Sequence, residues 1–131
     1  MPGPSPHLAP ADVVAVQLAA LQAEPRDGVG PGAGIRLAWS FASPGNRAAT
    51  GPLDRFADLL RDPPYAVLLE HRAAQLGPVQ ERGDAAQLEV LVLSRDDMTA
   101  GFTWLLTRDG PPAAACWLTD GVLRHPDRGP A

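Results

Sequence analysis

The hydrophobic pattern changes period at Pro63-Pro64, and that change limits the folds open to this chain more than any other feature. Ahead of the two prolines, apolar residues recur at helical spacing: Val13, Val14, Leu18 and Leu21, then Leu37, Ala38 and Phe41, then Leu53, Phe56, Ala57, Leu59 and Leu60. Steps of three and four place such residues on one face of a helix. Beyond the prolines the period becomes that of a strand. Val67, Leu69 and His71 alternate with Leu68, Glu70 and Arg72, and Phe102, Trp104 and Leu106 alternate with Thr103, Leu105 and Thr107. Between them LEVLVL, from Leu88 to Leu93, is an apolar run with β-branched residues, the composition of a central strand. Ala114 to Thr119 supplies a last strand, extended through Asp120-Gly121 to Leu123.

The breaks agree with this division. Pro10 suits a first helical turn and Asp12 lies near the positive end of the helix dipole, while Glu24-Pro25 ends the segment. Ser43-Pro44-Gly45 stops the second helix, Pro52 opens the third, and Asp109-Gly110 is a turn. The loop RDGVGPGAG matches neither GxGxxG nor GxxxxGK(S/T) and joins helix to helix where a nucleotide loop would follow a strand, so it reads as a flexible connector. The expected elements are helices over 10–23, 34–42 and 52–62 and strands over 65–76, 85–94, 101–109 and 112–123. Three helices followed by four strands on short connections imply an α+β fold, with the helices on one face of a four-stranded antiparallel sheet. One domain over 10–124 is expected, between a Pro-rich tail, 1–9, and a C-terminal tail, 125–131. Apolar residues on both sheet faces lead us to expect a homodimer through the face the helices leave open.

Charge and cysteine use narrow the partners. All eleven basic residues are Arg, an overall bias that gives the arginine count no functional weight, and the formal net charge is -4 with no basic block. No footprint for a nucleic-acid backbone is present. The single Cys116 has no partner for a disulfide and no companions at zinc-ligand spacing, so neither metal nor cofactor is expected. No run of about 18 apolar residues occurs, and MPGPSPHLAP lacks the positive flank and apolar centre of a signal peptide. The expectation is a protein without a membrane partner in an intracellular compartment, the cytoplasm or an organelle stroma.

The stretch FASPGNRAATGPLDRFADLLRDPPYAVLLEH, with the later TWLLTRDGPPAAACWLTDGV, resembles the domain of unknown function 4864 family over about residues 10 to 123. That family has an FASP-x-NR segment, a GP-x-x-RF helix, a PPY turn and four strands in this order. The resemblance implies a cone-like fold similar to nuclear transport factor two, in which helices lie across a curved antiparallel sheet and enclose a pocket. The GVGPGAG connector departs from the pattern in its length and glycine content. The resemblance implies no activity, because related cones serve as isomerases, dehydratases, polyketide cyclases and plain binding or dimerisation modules.

Each candidate site residue has a structural reading beside a functional one. Ser43-Pro44-Gly45-Asn46-Arg47 is either a corner, with Gly45 at a positive φ angle and Arg47 paired with Asp54 or Asp58, or a pocket mouth at which Asn46 and Arg47 bind a carbonyl or carboxylate. His71 is either a satisfied histidine or, if its strand faces the cone, a general base. Tyr65 opening the first strand and Asp120 ending the last would mimic the phenol and carboxylate of a ketosteroid-isomerase-type site, although Asp120-Gly121 is also a plain turn. Trp104 is either core or a ligand platform. These readings lead to a non-catalytic domain for a small apolar or carboxylate-bearing ligand or for dimerisation. The alternatives are a cofactor-independent isomerase, dehydratase or cyclase, and an adaptor that uses the sheet face to bind another protein.

Overall fold

A computed structural model describes residues 3–111 and 113–126, and among these five helices precede five strands. The helices are α1 (Pro10–Gln22), α2 (Ala33–Ser40), α3 (Pro44–Thr50), α4 (Leu53–Arg61) and α5 (Pro63–Ala66). The strands are β1 (Ala73–Leu76), β2 (Gln80–Arg82), β3 (Ala85–Leu93), β4 (Thr99–Asp109) and β5 (Cys116–Arg124). They form one antiparallel sheet in the order β1-β3-β4-β5, with β2 continuing beside β3 where β1 stops. Leu76 pairs with Val90 and Gln80 with Gln87, so three residues of one strand oppose two of the other around Gly77-Pro78. Pro78 has no N–H for the ladder, which accounts for the gap.

Alternation decides which face is buried. Leu88, Val90 and Val92 of β3 and Phe102, Trp104 and Leu106 of β4 point to the helices and are almost fully buried. They pack against Val13, Val14, Leu18 and Leu21 of α1 and Ile35 and Ala38 of α2. Each such Val, Leu, Ile or Phe side chain contributes about 1.5–3 kcal/mol by leaving water. The opposite face is open, and there Leu91 is 50 % and Leu123 54 % exposed.

The α+β class and the antiparallel pairing stand as expected, but among the described residues there are five helices instead of three and five strands instead of four, and two departures have clear causes. Ser43-Pro44, expected to stop a helix, starts one. Ser43 is the N-cap of α3, its hydroxyl accepting from Asn46 N–H at 3.1 Å, and Pro44 opens the first turn. Gly45 therefore lies in helix, and it is Gly51 that takes the positive φ angle, 84°, before Pro52. The strand expected over 65–76 is strand only in β1, and 65–72 is a short helix and turn instead, because Pro63 and Pro64 open α5 and Leu68 N–H then donates to Tyr65 O and Leu69 N–H to Ala66 O. Adjacent Leu68 and Leu69 are both buried, which a half-covered strand cannot achieve. The expected last strand, 112–123, is β5 from Cys116 onward; its first residue lies outside the described set, as do parts of both tails.

The glycine-rich connector is pinned, contrary to its reading as flexible. α2 has Gly32 at its N-cap and so no capping side chain of its own; instead Glu24, 3 % exposed, accepts from Ile35 N–H at 2.9 Å. Arg61 holds the other side of the connector, donating to Gly28 O at 2.8 Å and Gly30 O at 3.0 Å and lying 3.5 Å from the Glu24 carboxylate. Gly34 lets α2 approach α1 so closely that a Cβ there would stand 2.1 Å from the Ala20 carbonyl oxygen.

Candidate functional site

A partly enclosed cavity of about 250 Å³ lies between the helices and the sheet. For scale, an engineered cavity of roughly 150 Å³ holds benzene. Its inner wall combines Leu21 of α1, Ala38 of α2, Leu60 of α4 and Leu68 with Trp104 and Thr119 of the sheet, all buried. Its rim is half-buried and consists of Asn46 and Thr50 of α3, Phe56 and Leu59 of α4, Tyr65 of α5 and Val122 of β5. The rim thus depends on α3 and α5, the two helices that the hydrophobic period did not reveal.

The polar groups of the inner wall are bonded to one another. Gln17, 4 % exposed, donates through Nε2 to Ala38 O at 3.0 Å and accepts at Oε1 from the Trp104 indole N–H at 3.0 Å and from the Thr119 hydroxyl. A buried polar group costs free energy unless it is paired, and this trio is paired. The wall is therefore apolar in effect, with Trp104 anchored so that its ring faces the cavity. Gln17 stands on the apolar stripe of α1, where a polar residue is itself a signal that the helix meets something polar.

The corner joins the rim to the sheet. Thr119 N–H donates to Phe41 O at 2.7 Å and Ser43 N–H to Thr119 O at 2.9 Å, so Ala42 lies alongside Thr119 in parallel. Asn46 Nδ2 donates to the same Thr119 carbonyl at 3.0 Å. Arg47 turns away from the cavity: its guanidinium lies 3.8 Å from the Trp39 ring centroid and donates to Trp39 O at 3.1 Å and Ser40 O at 3.4 Å, placing a cation on the last carbonyls of α2. It pairs with neither Asp54 nor Asp58. Asp120 is the extra residue of a bulge in β5, where Leu106 faces Thr119 and Leu105 faces Gly121, and it is no turn; its carboxyl accepts from Ser43 Oγ at 2.7 Å. His71 is 4 % exposed beyond α5, with Nδ1–H donating to Leu68 O at 2.7 Å.

Of the residues singled out in the sequence, the cavity brings together Asn46, Tyr65 and Trp104, while Arg47, His71 and Asp120 lie outside its lining. The Tyr65 hydroxyl donates to Val122 O at 2.9 Å. Gln17, Thr50 and Thr119 join the lining without having been singled out. Asn46→Ala is expected to cost about 1 kcal/mol through the lost bond to Thr119. Arg47→Ala is expected to cost about 1–2 kcal/mol through its carbonyl bonds and its stacking on Trp39. Urea unfolding of both variants measures these losses. A scan against protein-family models, a search of curated proteins and a search of solved structures each return no match.

Proposed function

We propose that this chain is a non-catalytic binding domain that takes a small, mostly apolar molecule into the cavity between its helices and its sheet. The observation that carries this reading is the cavity itself, an apolar hollow left open beside an otherwise packed core. Every polar group of its inner wall is already engaged, which favours holding a ligand over transforming it. An acid–base pair would need two groups in reach of one substrate, and Tyr65 lines the cavity while His71 and Asp120 bond elsewhere. The cone of nuclear transport factor two, expected from the resemblance, is the architecture we assign, supported by helices gathered on one face of an antiparallel sheet with a pocket between the layers.

Ethylbenzene tests the reading. A compound that binds the native state at a hundred times its dissociation constant stabilises by about 2.7 kcal/mol, so the melting temperature is expected to rise with ethylbenzene. Ala38→Leu fills the cavity from α2 and is expected to abolish that rise. A melting temperature that ethylbenzene leaves unchanged overturns the proposal.

A second reading has one observation in its favour. Leu91 and Leu123, each about half exposed on the open sheet face, give two copies an apolar surface on which to pair. Leu123→Arg is then expected to convert a dimer to a monomer in light scattering, because a buried unpaired charge costs several kcal/mol. A monomeric unmodified protein at high micromolar concentration removes this second reading and leaves the first intact.

A further inference from the structure

Resting on the cavity-binding reading, we infer that the ligand is electrically neutral and carries one hydroxyl or carbonyl group, held at the rim by Asn46, with its apolar body directed inward. The argument begins with charge. Among the described residues, neither a cationic nor an anionic side chain lines the cavity. The arginine next to Asn46 points away, its guanidinium on the Trp39 ring and the carbonyls that end α2. The ionisable group nearest to the Asn46 end in the hydrogen-bond network is Asp120, joined through Ser43, whose hydroxyl accepts from Asn46 N–H and donates to the Asp120 carboxyl. A ligand carboxylate would therefore lose its water and find no cation in the lining. An ion taken out of water without a partner is strongly disfavoured.

A neutral polar group meets different conditions. Asn46 spends one side-chain N–H on Thr119 O, and its carbonyl oxygen and second N–H have no partner among the described residues. The Tyr65 hydroxyl, its proton given to Val122 O, retains acceptor capacity at the same rim. Asn46 can thus donate to a ketone or both donate to and accept from an alcohol. The polar residues deeper in, Gln17, Trp104 and Thr119, satisfy one another and place no demand on the ligand body. Scaling from benzene in roughly 150 Å³, the volume admits about ten non-hydrogen atoms.

The test compares compounds of one size: 1-octanol, 2-octanone, octanoate and octylammonium at pH 7, with ethylbenzene as the apolar probe, by titration calorimetry. The alcohol and the ketone are expected to bind at least about tenfold more tightly than either ion. Asn46→Leu should weaken both by about tenfold and ethylbenzene by much less. In the unmodified protein, nuclear Overhauser contacts are expected between the Asn46 side-chain amide and the methylene of 1-octanol that bears its hydroxyl, which keeps the assignment testable if Asn46→Leu fails to fold. Octanoate or octylammonium binding as tightly as 1-octanol overturns the inference, as does a 1-octanol affinity that Asn46→Leu leaves unchanged, and in both cases ethylbenzene binding shows that the cavity reading survives. Failure of all five compounds to bind overturns the cavity reading and this inference with it.

Discussion

Gly34→Ala is expected to destabilise the protein by about 3 kcal/mol or more, the upper part of the range for overpacked interiors. The added methyl would stand 2.1 Å from the carbonyl oxygen of Ala20 and 3.1 Å from Glu24 Cβ. The first neighbour is helix backbone, so it cannot turn aside as a side chain could; α1 and α2 must separate. For a chain of this size that loss lowers the melting temperature by roughly 10–15 °C. The same separation moves Leu21 and Ala38, which face the cavity from these two helices. Ligand-induced stabilisation should fall along with the melting temperature. A variant that melts within about 2 °C of the parent shows that the helices tolerate the methyl and that the close approach is dispensable.

Glu24→Ala is the second large effect, expected at about 3–5 kcal/mol by denaturant unfolding, the usual cost of removing one member of a buried ion pair. Two groups lose their partner together. Ile35 N–H, in the first turn of α2, is left without an acceptor, and the Arg61 guanidinium is left with only connector carbonyls. Glu24→Gln preserves an acceptor for Ile35 while removing the charge, so it should lose less, about half as much. Equal losses in the two variants would show that the ion pair dominates and the cap contributes little.

Local pattern and non-local geometry differ in how far the sequence exposes them. The stripe of α1 and the alternation of β4 are legible because each repeats a period over several residues and is buried on one side only, and β3 is legible as an apolar run. Two places misled for specific reasons. Serine followed by proline is compatible with both the end of one helix and the beginning of the next, and at 43–44 it begins α3, α2 having ended at Ser40. Over 65–72 alternation was imitated by a turn whose two adjacent leucines both face inward. The cavity is a void bounded by residues as distant as Gln17, Asn46, Tyr65 and Thr119, and no local spacing encodes a void. Asn46, Tyr65 and Trp104 were reachable because a polar or aromatic residue beside a break or on an apolar face is conspicuous. Arg47 was equally conspicuous, and it serves the end of α2.

The strip from Phe41 to Ser43 has a bearing on how this protein behaves in a crowded solution. A sheet ends where its outermost strand has free amides and carbonyls, and those groups can template a strand from another chain. At β5 the Thr119 amide and carbonyl are already taken by Phe41 and Ser43, and Asn46 adds a further donor to that carbonyl. The other boundary, β1, is four residues long and interrupted by Gly77-Pro78, so it offers little length on which to grow. The corner that frames the cavity therefore also occupies the middle of the β5 edge, and loosening it would free the Thr119 amide and carbonyl for a strand of another chain.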